Sequence, residues 1–292
     1  MRYTITGYST ALFSTWYFVE ELGLLFDAGD GLISGLLQKS RKINHVFISH
    51  ADRDHLTGLL KFNQMNGRPG FPVIHYPKDS GSFPALEKFS KSFDPNVSGT
   101  VWQGMADGEE IIIQKNIIVE AIRNGHVVVD PQIIKSLSYK IIEVKEKLKP
   151  QWLHLEGREI RQRIIEHGKQ SFVEEQRTTL IGYSGDTPVE DGQRWDQTHT
   201  LIHEATFLGG DDDVKLHAHG NLHSTLEEVM EMVSGITIQQ LILGHFSSRY
   251  QPDKIDRKIV MLCEKYAIDI PVFRMLPGQI VNDILNTPPI NR

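Results

Sequence analysis

Residues 50–55 read His50-Ala51-Asp52-Arg53-Asp54-His55, directly after the apolar run Val46-Phe47-Ile48 and directly before Leu56-Thr57-Gly58-Leu59-Leu60. Side chains of metal-ligand type thus crowd the seam between an expected strand and an expected helix. In an extended turn His50 and Asp52 point one way. Asp54 and His55 then open the helix and address a second point, an arrangement that suits two metal ions sharing one site. A polar turn with an Asp N-cap would explain any one of these residues. It does not explain the whole hexapeptide.

Working outward, other short apolar runs end in the same way. Leu24-Leu25-Phe26 runs into Asp27, Leu180-Ile181 through Gly185 into Asp186, Leu201-Ile202-His203 into Glu204, and Leu241-Ile242-Leu243-Gly244 into His245. A buried strand that delivers a carboxylate or imidazole at its C-terminal end puts that group on the rim of a sheet, where open α/β sheets place ligands. With no Lys or Arg among these endings, their convergence is electrostatically poor unless a cation joins them. Further strand-type runs are Trp16 to Val19, Ile111 to Ile113 and Ile117 to Val119. Leu226, Val229, Met230 and Val233 recur at helical spacing behind a capping box formed by Ser224 or Thr225 with Glu227 or Glu228. Strands alternating with helices read as layered α/β.

The chain has 292 residues, 31 Lys and Arg against 37 Asp and Glu, 13 His and one Cys. A lone Cys263 excludes a disulfide framework and a Cys-rich zinc ribbon. No apolar run is long enough for a membrane span, and Met1-Arg2-Tyr3-Thr4 does not start a signal peptide, so a soluble, cytoplasmic protein is expected. A formal charge of -6 argues against a surface coated for nucleic acid. Without repeats or linkers, residues 1–292 read as a single domain. Segment 135–163 stands apart with a local excess of Lys and Arg, read as a solvated helix face or hairpin, or as a nucleic-acid contact.

Taken together, these motifs resemble the metallo-β-lactamase superfamily and, within it, ribonuclease Z-like members. The hexapeptide is similar to the signature motif, and Phe26-Asp27-Ala28-Gly29 to the early Asp motif. Gly125-His126, with Ser138-Tyr139 further on, and Gly182-Tyr183-Ser184-Gly185-Asp186-Thr187 match the third and fourth motifs. His203-Glu204-Ala205-Thr206-Phe207, His223-Ser224-Thr225 and Gly244-His245-Phe246-Ser247-Ser248-Arg249-Tyr250 look like the ribonuclease Z motifs.

The resemblance implies a four-layer αββα sandwich with the metals at one edge between the sheets. It implies that His50, Asp52, His126 and Asp186 hold one divalent ion, and that Asp54, His55 and His245 hold a second, Asp186 bridging. A metal-activated hydroxide would attack a phosphodiester. Asp54 would both ligate and orient it, while Glu204 and His223 protonate the leaving oxygen. Asp27 would support the site from behind. Ser248 and Arg249 could grip a substrate phosphate, or simply start a helix. His217 and His219 could touch substrate. The implied work is endonucleolytic removal of tRNA 3′ trailers, on RNA such as precursor tRNA, by an enzyme of a family that often forms homodimers.

Two departures from the pattern bear on this. Asp52 stands where the family usually has His, which adds a carboxylate to the core and tilts preference from zinc toward a harder ion such as manganese. Residues 135–178 contain only Pro150 and no Gly-Pro run where the tRNA-processing enzymes carry a long arm. They read as a shortened replacement of that arm, with Tyr139 and Trp152 available to stack on bases. Alternatives are hydrolysis of a small phosphodiester of cyclic-nucleotide type, a lactonase or thioesterase of the same fold, and a metal-poor scaffold that binds without turnover.

Overall fold

The structure, a computed structural model, describes residues 3–94, 97–209 and 222–292; His217 and His219 lie outside them. One sheet runs in the order β1 (Ile5–Thr10), β2 (Ser14–Val19), β3 (Leu24–Phe26), β4 (His45–Phe47), β5 (Val73–Pro77), β6 (Val101–Met105). The other runs from β7 (Glu110–Gln114) through β8 (Ile117–Arg123), β9 (Leu137–Leu148), β10 (Val173–Tyr183), β11 (Thr198–Glu204) and β12 (Ile238–Gly244) to β13 (Val272–Arg274). Each sheet is antiparallel at its start and parallel at its end, so the halves are alike.

Strand alternation decides what each layer buries. Tyr17, Leu24, Phe26, Phe47, Tyr139, Ile141, Tyr183, Ile202 and Ile242 face inward and form one core between the sheets. Their neighbours Trp16, Phe18, Leu25 and Val46 face outward, under α1 (Leu32–Leu36), α3 (Leu59–Asn66) and α4 (Ser82–Phe93). Leu201, Leu241 and Leu243 do the same under α6 (Leu226–Ser234) and α7 (Pro252–Lys265). Three apolar layers separated by two sheets make the expected αββα sandwich. Helix α6 begins as its sequence predicts: the Thr225 hydroxyl accepts from the Glu228 amide while the Glu228 carboxylate takes the Thr225 N–H.

Residues 144–148 and 173–177 leave the sheet as a two-stranded ribbon, because β8 and β11 pair only with the inner parts of β9 and β10. At about 3.4 Å per residue the free part extends roughly 17 Å. Its tip carries α5 (Gly157–His167), none of whose residues is buried, and a small cluster in which Trp152 packs on Phe172 with the Arg163 guanidinium over the indole. Residues 135–163 contribute one strand of this ribbon and the exposed start of α5, so the hairpin and the solvated helix face are both present. Tyr139 is not available for stacking: alternation along β9 turns it inward, and its hydroxyl donates to the Ile48 carbonyl at 2.6 Å. The local positive excess also shrinks, since residues 143–177 as a whole hold eight Lys and Arg against seven Glu. Lys145–Glu143, Lys169–Glu146 and Arg177–Glu110 are paired.

Buried His75, on β5, stacks on Phe47 at 4.3 Å with its Nε2 3.2 Å from His45 Nδ1. Burial, reinforced by His45, pushes its pKa down to about 3. The unfolded chain therefore binds more protons than the native one between roughly pH 6.5 and 3, and stability falls as pH drops through that window. We expect the acid limb of a denaturant-midpoint profile to be shallower for His75→Gln than for the unsubstituted chain, by up to about 1 kcal/mol per pH unit; superimposable limbs would refute this.

Candidate metal centre

Every acidic or imidazole strand ending picked out in the sequence arrives at one place, the rim where the two sheets meet. Sheet one contributes Asp27 after β3 and His50 shortly after β4. Helix α2 (Arg53–Leu56) adds Asp54 and His55. Sheet two contributes Asp186 after β10, Glu204 at the end of β11 and His245 after β12, while His126 comes from the loop after β8. Delivering them takes unusual backbone. Asp27 and His245 sit at φ 52° and 61°, in the left-handed region that costs a non-glycine residue about 1–3 kcal/mol. Gly185, at φ 57°, lies so close to Ser49 that a Cβ would come within 2.6 Å of the Ser49 Cβ.

The four buried imidazoles are all anchored through Nδ1. His50 Nδ1 lies 2.9 Å from Ser49 Oγ, His55 Nδ1 2.7 Å from Asp27 Oδ2, His126 Nδ1 2.9 Å from the Leu222 carbonyl, and His245 Nδ1 2.8 Å from Thr206 Oγ1. With Nδ1 donating, each Nε2 keeps its lone pair for the rim. His50, His55 and His126 Nε2 are buried and have no hydrogen-bond partner. Orphaned buried nitrogens are costly unless a cation takes their lone pairs. Around them stand carboxylates, one of which, Asp54, lies within hydrogen-bond reach of His245 Nε2. Asp52 Oδ2 is 3.6 Å from His50 Nε2 and 3.7 Å from His126 Nε2. Asp54 Oδ2 is 3.5 Å from His55 Nε2 and 3.4 Å from His245 Nε2. Asp186 Oδ2 lies in the middle, 3.3, 3.4 and 3.7 Å from His55, His245 and His50.

These atoms fall into overlapping clusters able to hold a metal, including His50-Asp52-His126, His50-His55-Asp186 and Asp54-His55-His245. The donor set of imidazole nitrogens and carboxylate oxygens fits divalent ions. Burial alone would push the Asp186 carboxyl up, but His245, His55 and His50 hold it well below the usual range. Burial also keeps His50 below its ordinary value, and His55 and His126 add to that. His55 goes the other way: burial pushes it down, but Asp186 and Asp27 lift it well above, so a cation entering there displaces a proton. Asp52 is the N-cap residue of α2 but makes no capping hydrogen bond. Its half-exposed carboxylate faces the imidazoles instead.

Beside this cluster, His223 Nδ1 is 3.1 Å from Glu204 Oε1 and 3.8 Å from Asp186 Oδ2. Burial pushes His223 down, but the Glu204 carboxylate wins and lifts it to about 9, so it is protonated at neutral pH. Glu204 is buried and fully bonded, accepting from the Thr187 amide at 2.7 Å and from the amide and hydroxyl of Thr206. Thr206 was not singled out in the sequence. Its hydroxyl donates to Glu204 and accepts from His245 Nδ1, which joins the His223 pair to a candidate ligand. Asn124 was missed too; its amide holds the His126 loop to Ser138 and to the Ser184 carbonyl. Both are small polar residues next to motif histidines, which is the only signal the sequence offered.

Ser248 and Arg249 lie in the loop before α7, whose N-cap is Gln251, so neither starts the helix. Arg249 places its guanidinium 5.4 Å over the Phe207 ring, and Phe207 in turn lies edge-on to His223. Ser248 is exposed at the mouth of a cleft beside Phe13.

A model of the beta-lactamase superfamily domain matches residues 24–246, from β3 through the residue after His245. The chain belongs to the beta-lactamase superfamily. Within that superfamily it is ribonuclease Z-like. A chloroplastic tRNase Z of Arabidopsis thaliana is 29% identical over 282 residues, covering 92% of this chain and 74% of that protein. A metallo-beta-lactamase fold protein from Bacillus subtilis superposes with a TM-score of 0.63 at 15% identity, covering 96% of this chain and 100% of the other. The short form of human tRNase Z does so with a TM-score of 0.61 at 19% identity, over 96% and 99%; both structures speak for the fold.

Thr206→Val would leave His245 Nδ1 and one Glu204 oxygen without their shared partner. Loss of such an orienting bond behind a metal ligand costs roughly 10- to 100-fold in metal affinity or activity. We expect that loss in a metal titration of Thr206→Val and near-normal binding in Thr206→Ser; equal behaviour of the two variants would exclude the relay.

Proposed function

We propose that this protein is a two-metal phosphodiesterase of ribonuclease Z type that removes 3′ trailers from precursor tRNA. The observation that carries the reading is the His223–Glu204 pair, Nδ1 to Oε1 3.1 Å, set next to the convergence of Nε2 and carboxylate atoms with Asp186 3.8 Å away. A site that only stored a cation would have no use for a buried acid pair beside it. Relatives named tRNase Z and ribonuclease Z support the choice of substrate.

On this reading His50, Asp52 and His126 would hold one divalent ion and Asp54, His55 and His245 a second, with Asp186 available to either. Bound there, zinc or manganese supplies Lewis acidity and lowers the pKa of water. The chain's own groups do the rest. Asp54, fixed by the Leu12 amide at 3.0 Å, orients the attacking water. Asp27 holds His55 in place from behind. His223 gives its proton to the departing oxygen, and Glu204 stabilises the cation until then. Arg249 and Ser248 meet the phosphate oxygens.

The protruding ribbon stands in for a longer tRNA-gripping arm within a single domain spanning 1–292, with Lys147, Arg158 and Arg161 as the cations that meet RNA. Its nearly balanced charge also favours a second reading, the same chemistry on a small phosphodiester. The enzyme works in the cytoplasm, in keeping with its one buried Cys263, as a homodimer. Among the described residues no helix is long and apolar enough to cross a membrane.

Precursor tRNA, bis(p-nitrophenyl) phosphate, a lactone and a thioester, offered with zinc and with manganese, separate the candidates. We expect cleavage of both phosphodiesters, two metals per chain, and a manganese preference that Asp52→His shifts toward zinc. Binding of less than one metal per chain with either ion, or turnover of the carbonyl substrates alone, would end the reading. Charge reversal at Lys147, Arg158 and Arg161 should lower tRNA affinity and reduce the salt slope by about 1 per cation removed. An unchanged slope would shift the assignment to the small substrate.

A further inference from the structure

The turn joining β1 to β2 is tied to the metal centre by its backbone and turns the Leu12 and Phe13 side chains outward. The Ala11 amide donates to the carbonyl of Phe246, the residue after His245, at 3.3 Å. The Leu12 amide donates to the Asp54 carboxylate at 3.0 Å, and the Phe13 amide closes the turn on the Thr10 carbonyl at 3.1 Å. Three successive N–H groups are thus used, two of them on segments that carry candidate ligands. Leu12 adopts φ 70°, the third position of a turn that favours glycine or asparagine. A leucine there is strained, and its side chain recovers little by burial: Leu12 is 71% exposed and Phe13 61%. Two large apolar groups on a strained, pinned turn do nothing for the fold that smaller residues would not do better.

Phe13 forms the ridge between two clefts. One, of about 380 Å³, it shares with Tyr8, Ser248, Gln251 and Pro277; the other, of about 330 Å³, with Tyr8, Trp16 and Ile280. The first opens at Ser248, three residues beyond His245, and pairs aromatic walls with a hydroxyl and an amide. Aromatic faces with amide and hydroxyl edges are how unstacked bases are recognised. We propose that the Leu12–Phe13 turn is a nucleobase subsite, in which Phe13 stacks on the base of a nucleotide flanking the phosphodiester at the metal centre and Gln251 faces that base's edge. This rests on the phosphodiesterase reading above. An exposed Leu-Phe pair could also serve a second copy of the chain, but the tether to Asp54 and the polar edge of the cleft favour a base.

The test compares adenosine 5′-monophosphate with ribose 5-phosphate, which differ only in the base, by calorimetric binding to the full metal-loaded chain. The unsubstituted protein should bind the nucleotide about tenfold more tightly, within the range of one base–aromatic stack. Phe13→Ala should bring the ratio close to one, and Phe13→Trp should restore it. A ratio near one in the unsubstituted protein, or a preference that survives Phe13→Ala, overturns the proposal, as does a preference that survives while a dimer falls apart. Phosphodiester turnover is scored separately. Turnover without a base preference removes the subsite alone, whereas a Phe13-dependent preference without turnover leaves the subsite standing and removes the catalytic reading.

Discussion

Asp27 is the point on which both sheets and the metal centre depend. Its carboxylate has no exposure to solvent and accepts from the Ser49 amide at 2.7 Å, the Ser49 hydroxyl, His55 Nδ1 and the Tyr183 hydroxyl. Those donors come from the segment just after β4, from α2 and from β10 of the opposite sheet. A buried carboxylate with one of them missing would be severely destabilising, so the bonds hold each other in place. Through Ser49 the same hub fixes His50, and through His55 it reaches the far side of the cluster. The left-handed backbone of Asp27 itself is the strain that this network overcomes.

The electrostatics of the rim follow from that framework. Imidazoles anchored at Nδ1 cannot turn away, and among the described residues no Lys or Arg side chain pairs with Asp52, Asp54 or Asp186, which face imidazoles instead. His223 adds a further compensating group, and its position before α6 places it against a helix N-terminus that disfavours its charge. That effect is worth about 1 kcal/mol at most, and the Glu204 carboxylate at 3.1 Å outweighs it. The fold thus separates its groups by role: imidazoles with Nε2 turned to the carboxylates on one side, and His223 held by Glu204 on the other.

Much of this could be read from the sequence because buried strands have few ways to end. Runs such as Leu24-Leu25-Phe26 and Leu241-Ile242-Leu243 have to be covered on both faces, so Asp27 and His245 at their ends had to reach a rim. Local signals also fixed α6, down to the Thr225–Glu228 box. What stayed hidden depends on contacts distant in sequence. Tyr139 sits beside Lys140 in a basic segment and looks exposed, until pairing of β9 with β8 and β10 sets which face it takes. Thr206 matters only because β11, β12 and the His223 segment meet. Residues 144–148 alternate in charge, which suits a helix or a ribbon, and only pairing with 173–177 decides between them. Leu12 and Phe13 look like ordinary turn-flanking apolar residues, and nothing local reveals that their amides are spoken for.

The rim draws its candidate ligands from both halves of the sandwich: His50, Asp52, Asp54 and His55 from the first, His126, Asp186 and His245 from the second. Whatever binds them all therefore rivets one sheet to the other. Separating the halves would tear the site apart, so the unfolded chain cannot keep what the folded one holds. By mass action each tenfold rise in free cation above its dissociation constant adds about 1.4 kcal/mol to folding. A divalent ion held across the rim would therefore raise the melting temperature as its free concentration rises.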